Sequence, residues 1–522
     1  MPVQLTSPLL ELPDTWLALL VQHLASGLGG LARAASLNST CKALHSLSEG
    51  PAVIYRNISM ETPISSPDHP LWQWLAKRSG RIDGLSLDLH LEVFDHATSA
   101  EQLIGWMQPL QTLSGIPGTQ LGVELDDLVD EVDHPCITQW LREHGQIISH
   151  LTVHVDISEG KLTLGEFSEA AAACPSVDLT IWHSSSQVVD LADLDAVAVC
   201  LHSLTCEAKQ DWWEGTLRGA SVFNSMTQLT ALSFHCEHFE DDESWALLAK
   251  LTGLQQLSLM GCTSGDPSPV SAMTRLTSLT IHTHAASPQG NDLAPFTFSS
   301  LQPLSALQQL EVLFLGGRAC TATSLQGLAG FSNLKVLKFE FADGGGMLRS
   351  LEGISPGLTE LSIRRLQRHC LSLAGIEGCT SMEKLSLCSC GVSSLWPIRS
   401  FSSLKELDVY DGRLTSLEGL DRMPLQSLSL ASCDRLIELS GVEHLSSLKS
   451  LKVMDCDGIS SLQPLSQLGE GLEELRVVAC KGVQEEVLEL PHVQPTADVD
   501  VRKSNVKEVV LAGGVRRAVL PR

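Results

Sequence analysis

The nine residues from Leu448 to Cys456, LKSLKVMDC, constrain this chain more than any other stretch, because their spelling keeps returning. Written L-x-x-L-x-[LV]-x-x-C, the frame recurs from Leu254 to Cys262, from Met382 to Cys390 (with Met in first place), from Leu425 to Cys433 and from Leu472 to Cys480. Without the cysteine it begins again at Leu229, Leu276, Leu310, Leu334, Leu358, Leu404 and Val506, and most successive starts lie 21 to 25 residues apart. A chain with that period does not fold as one ball. Each unit is too short to bury its own apolar residues and must stack on its neighbours.

Side chains of a strand alternate between its two faces, so in Leu448 to Cys456 the residues Leu451 and Val453 point inward while Ser450, Lys452 and Met454 point out. Stacked copies then pair their strands in parallel over a continuous apolar column. Period and spelling together resemble leucine-rich repeats. The expected fold is therefore an α/β solenoid, with a parallel sheet on its concave face and helices or 3₁₀ turns on its convex face. The ninth place of the frame, where that family carries Asn or Cys, suits a small polar side chain that bonds backbone groups as the chain leaves the strand.

Five of the 15 cysteines (Cys262, Cys390, Cys433, Cys456 and Cys480) are accounted for by that ninth place. The odd total and the lack of a secretory leader point to a reducing compartment. Cys388 and Cys390 form a C-x-C, but no second pair of cysteines or histidines completes a zinc spacing. The expected thiols are structural. With 43% hydrophobic and 18% charged residues the chain reads as folded, and a formal net charge of -26 opposes nonspecific binding to nucleic acid or anionic membrane. Its apolar stretches are broken by polar residues, which predicts a soluble chain, cytoplasmic in the first instance, with the nucleus or the ciliary axoneme as other settings.

Residues 9–58 lack the frame and read as short helices. Pro13 and Asp14 open the first, whose apolar face is Trp16, Leu17, Leu20 and Leu24, and Gly27, Gly29 and Gly30 break it. A second run carries Leu31, Leu37, Cys41, Leu44 and Leu47. The order Leu12, Pro13, Asp14, then Leu20 and Leu24, then Cys41, Lys42 and Leu44 resembles an F-box. That resemblance implies a helical domain that docks a Skp-type adaptor, and through it a cullin, using Leu12, Pro13, Trp16, Leu17, Leu20, Leu24, Leu37, Cys41 and Leu44. The simpler reading is a helical cap over the first repeat.

Residues 59–228 carry longer, less regular repeats. Leu71 to Leu89 aligns without a gap on Ile137 to Val155, each a helix feeding a strand, and weaker strands are expected at Ser176 to Ile181 and Leu201 to Cys206. Trp72, Trp74, Trp106, Trp140 and Trp182 are expected to pack the helical backs, whereas Trp212 and Trp213 are adjacent and cannot both face one core. Residues 229–481 are the regular repeats. There Leu325, Leu328 and Phe331, or Leu462, Leu465 and Leu468, recur every third residue, which suits 3₁₀ turns. This form is similar to the short repeats of phosphatase regulators, internalins and axonemal light chains. An insertion at His284 to Phe298 reads as a surface loop, and residues 482–522 as a capping repeat whose last strand holds Val506, Val509 and Leu511.

No catalytic motif is present: neither G-x-x-x-x-G-K-[ST], G-x-S-x-G nor H-E-x-x-H occurs, and Gly344 to Gly346 lacks the lysine of a phosphate loop. No cofactor is implied. Three classes of function remain: the substrate receptor of an SCF-type cullin-RING ubiquitin ligase, a leucine-rich scaffold or regulator of phosphatase or axonemal type, and, least favoured, an enzyme. For the first two, an unnamed protein partner is expected on the concave face, at the outward places of the frame. These include Phe314, Lys338, Glu340, Arg364, Asp408, Tyr410, Met454 and Arg476. Binding energy concentrates in Tyr and Arg, which singles out Arg364, Tyr410 and Arg476.

Overall fold

The computed structural model describes residues 55–59, 70–78, 82–92, 113, 116, 119–129, 135–157, 165–183, 188–208, 216–235, 238–239, 243–262, 266–283, 297–342, 347–366, 370–421, 423–502 and 504–519. The F-box-like residues Leu12 to Leu44, the loop residues 284–296, Gly344 to Gly346 and the pair Trp212 and Trp213 lie outside them. Contacts divide the chain into two units, Met1–Leu247 and Leu248–Arg522.

In the first unit the strands β1 (Tyr55–Ser59), β2 (Ile82–Glu92), β3 (Thr119–Val129), β4 (Ile148–Ile157), β5 (Val177–His183), β6 (Leu201–Ala208) and β7 (Ala231–His235) pair in parallel, each with the next. Helices α1 (Pro70–Arg78) and α2 (Pro135–His144) feed β2 and β4, as the gapless alignment of those segments predicts. Trp72 on α1 is buried, 6% exposed. Three features differ from the sequence reading. Strand β3, unforeseen, alternates buried Leu121, Val123 and Leu125 with outward residues but lacks the leucine frame. Trp182 belongs to β5, not to a helical back, and the strict alternation of that strand turns it outward. Tyr55–Ser59, the end of the segment read as helical, runs as an extended strand beside β2.

In the second unit eleven strands pair in parallel, each with the next. They are β8 (Gln256–Gly261), β9 (Ser278–Thr283), β10 (Val312–Gly317), β11 (Val336–Phe341), β12 (Glu360–Arg364), β13 (Lys384–Cys388), β14 (Glu406–Tyr410), β15 (Ser427–Ala431), β16 (Ser450–Met454), β17 (Glu474–Val478) and β18 (Asp498–Arg502). From β7 to β17 every strand starts two residues after its frame, which locks the leucine of the fourth place and the apolar residue of the sixth into the interior. Register puts Leu361 between Leu337 and Leu385, and all are at most 1% exposed. The return path is built from 3₁₀ turns such as Gln302–Ala306, Gln326–Leu328, Trp396–Ile398 and Gln463–Gln467, as the three-residue period predicts. A parallel ladder on one side and 3₁₀ turns on the other, repeating every 21 to 24 residues over most of the unit, is the leucine-rich-repeat fold.

The exit from most of these strands is also repeated. The eighth place of the frame has a left-handed backbone, filled by Gly261 and Gly317 but also by Arg365, Ser389, Asp411, Ser432, Asp455 and Ala479 (φ 50° to 62°). After it the chain turns inward, and the ninth residue is buried in seven of these eight repeats, the exposed Arg318 after Gly317 being the exception. The left-handed amide donates to the neighbouring repeat, as Ser389 does to Tyr410 O at 2.8 Å and Asp455 to Val478 O at 2.9 Å. The buried cysteine closes the turn: Cys390 Sγ donates to Ile363 O (3.1 Å) and Cys456 Sγ to Met454 O (3.3 Å). Burial pushes the Cys390 thiol up to about 12 and the Cys480 thiol up to about 11, so these groups stay protonated donors.

At the C-terminal end one expectation is corrected. The frame at Val506 does not continue the main ladder. Its strand (Glu508–Leu511) pairs with Val487–Leu490 in a separate sheet, closed by antiparallel Arg516–Ala518. The main ladder runs instead into β18, with Leu475 beside Val499 and Val477 beside Val501. Thr496 occupies the first leucine place of that repeat, which hides it from the spelling.

Candidate functional site

On the solvent face of the second sheet, register sorts the outward side chains into rows that cross the strands. At the fifth place of the frame the row reads Phe314, Lys338, Ser362, Ser386, Asp408, Ser429, Lys452, Arg476 and Asp500. At the seventh it reads Gly316, Glu340, Arg364, Cys388, Tyr410, Ala431, Met454, Val478 and Arg502. All eight expected partner residues therefore stand on one face, four in each row. Small residues on β15 (Ser427, Ser429 and Ala431) separate a group on β10 to β14 from a second group, Met454 and Arg476, on β16 and β17.

Most charges on this face are satisfied from within. Lys338 pairs with Glu360 (2.7 Å), Glu340 with Arg365 (3.5 Å) and Lys384 with Glu406 (2.9 Å). The Glu406 hydrogen bond, then its charge, raises the Lys384 pKa. Glu474 accepts from Ser450 (2.7 Å) and pairs with Lys452 (3.0 Å) and Arg476 (2.8 Å), and Arg476 also reaches Asp498 at 3.6 Å. The Ser450 bond leads the causes that hold the Glu474 carboxyl below its ordinary value. Arg476 is thus spent inside the fold. Its geometry differs from that of Arg364 although the two look alike in sequence.

Arg364 and Asp408 make no ion pair or hydrogen bond among the described residues. They flank a low floor formed by Ser362, Ser386 and Cys388, and beside it Tyr410 stands 49% exposed between the small neighbours Cys388 and Ala431. Asp408 is open to water on one side, yet partial burial, followed by the charge of Glu406, raises its pKa above the ordinary carboxylate value. Around this floor runs a groove of about 390 Å³, lined by Phe314, Lys338, Phe339, Glu340, Glu360, Leu361, Ser362, Arg364, Lys384, Leu385, Ser386, Glu406 and Asp408. Its lining holds four carboxylates against three cations and no histidine. No group of three or more metal-ligating side chains occurs among the described residues.

Sequence reasoning missed a second arrangement, on the first unit's sheet. His154 on β4 stacks on Trp182 of β5 with ring centroids 5.2 Å apart, and its Nε2 lies 3.5 Å from Glu124 Oε1. His150 Nε2 lies 3.0 Å from Asp178 Oδ2. The alternation of Val177 to His183 carried the signal, since it turns Asp178, Thr180 and Trp182 to one face.

No family model and no curated protein matches the chain. Among solved structures it is similar to an internalin, InlF, of Listeria monocytogenes (14% identity, 69% of this chain and 84% of that one, TM-score 0.40). It is also similar to the functional domain of InlJ from Listeria monocytogenes, described as including a cysteine ladder (15%, 69% and 68%, TM-score 0.40). A third likeness is to PEPR1 in its PEPR1-AtPEP1 structure (12%, 84% and 70%, TM-score 0.38). These likenesses are too distant to carry function, and the assignment to leucine-rich repeats rests on the ladder, the period and the exit turn of this chain itself.

Proposed function

We propose that this chain is a non-catalytic protein-binding module whose partner docks on the solvent face of the second sheet, around Arg364, Asp408 and Tyr410. The observation that carries the reading is the contrast on that face. Neighbouring charges neutralise one another within the fold, whereas among the described residues this guanidinium and this carboxylate make no ion pair or hydrogen bond, beside an exposed phenol. Desolvated Arg and Tyr side chains are where interface energy concentrates.

The finer reading joins that face to the N-terminal segment. An F-box-like stretch ahead of leucine-rich repeats is the arrangement of substrate receptors in SCF-type cullin-RING ubiquitin ligases. In that role Leu12, Pro13, Trp16, Leu17, Leu20 and Leu24 hold the Skp-type adaptor, and the repeats present a protein substrate. Each large apolar side chain buried at such a contact contributes roughly 1.5 to 3 kcal/mol. Co-expression with a Skp adaptor tests it: the wild-type chain co-purifies, and the double substitution Leu20→Asp with Leu24→Asp abolishes capture while the repeats keep their thermal transition. Capture that survives the double substitution, or its absence for the wild-type chain, refutes the ligase reading in favour of a leucine-rich scaffold.

A further inference from the structure

Building on the reading of this face as a partner site, we infer that Arg364 and Asp408 recognise a single extended protein segment carrying one acidic and one basic residue three or four positions apart. The spacing follows from the ladder. The two residues are two strands apart, with neighbouring strands about 4.8 Å from each other, and their rows are offset by two residues, about 6.6 Å along the strand. Their Cα atoms are therefore about 11 to 12 Å apart, which an extended chain rising about 3.3 Å per residue spans in three to four residues.

The signs of the two charges follow from the groups themselves: among the described residues neither makes an ion pair or hydrogen bond, and the charges of Lys452, Arg364 and Lys384 act on Asp408 only through space. Arg364 takes a carboxylate, for which its planar donors are shaped, and Asp408, with Glu406 behind it, takes an ammonium or guanidinium. A polyanion is disfavoured because the groove lining carries one more carboxylate than cations. Between the two charges the floor of Ser362, Ser386 and Cys388 leaves room for a backbone to lie flat, and Tyr410 offers a ring edge to the segment's apolar side chains.

The test is selection of a random twelve-residue peptide library displayed on phage against the immobilised full-length chain. Enrichment of peptides with an acidic and a basic residue three or four apart is the expected result. Arg364→Glu should then bind the best such peptide at least about tenfold more weakly, and replacing the peptide's acidic residue by Lys should restore that binding. Asp408→Lys should show the mirror behaviour toward a peptide whose basic residue is replaced by Glu. Arg364→Lys and Asp408→Asn, with thermal melts of all four variants, separate lost recognition from lost folding. Peptides that lack the charge pair but bind Arg364→Ala/Tyr410→Ala more weakly than wild type overturn the pairing and leave the docking face standing. Failure to enrich any peptide, or peptides indifferent to that double substitution, overturns both.

Discussion

Single side chains of this protein fall into two kinds, those that the fold consumes and those that it leaves over. The ladder cysteines belong to the first kind. Their thiols are buried, whereas Cys370 is exposed. Brief treatment of the native protein with iodoacetamide, followed by peptide mapping, should find Cys370 modified and Cys390, Cys433, Cys456 and Cys480 intact. Ala479 is consumed differently, since it holds a left-handed backbone with φ 60° where an L-residue is disfavoured. Replacing it by Gly should raise stability by about 0.5 to 1 kcal/mol in denaturant unfolding. Asp408 belongs to the second kind. Its carboxyl already titrates above its ordinary value, and a cationic partner pulls it back down, so binding favours the ionised form and releases a proton. Affinity for such a partner should therefore rise with pH through the carboxylate range and level off once Asp408 is ionised. Asp408→Asn should flatten that profile. The sign for stability is opposite. A raised carboxyl pKa in the fold means that Asp408 favours the native state below its folded pKa and loses that contribution as pH rises through it.

At the scale of strands and turns, most of the fold is legible in the spelling because the interior of a repeat tolerates little else. Leu361 and Leu385 stack directly on one another and are at most 1% exposed, so Leu385→Ala should cost about 2 to 5 kcal/mol by the cavity it leaves, read from urea unfolding. The failures are equally physical. Strand β18 escaped notice because Thr496 stands where leucine marks the other repeats, while its interior is kept apolar by Val499 and Val501. The frame at Val506 misled because β-branched alternation also serves the small separate sheet with Val487–Leu490. Strand β3 shows that a repeat can depend on alternation alone, without the leading leucine. The face of each outward residue was legible from the two-residue period. Which charges neutralise one another was not, since Lys338 and Glu360 or Arg476 and Glu474 meet through register and rotamer, and the frame is silent on both.

For the whole molecule, the proposed function rests on what the second unit's sheet presents to solvent around Arg364, Asp408 and Tyr410. Among the described residues no helix is long and apolar enough to cross a membrane. The measurement that bears most directly on this account is isothermal calorimetry of the partner recovered with the wild-type chain, against wild type and against the Arg364→Ala/Tyr410→Ala double variant, with thermal melts of both. The account predicts a loss of at least roughly 2 kcal/mol, about thirtyfold in Kd, with an unchanged melting temperature. Wild-type affinity in the double variant would contradict it and move the partner to another surface.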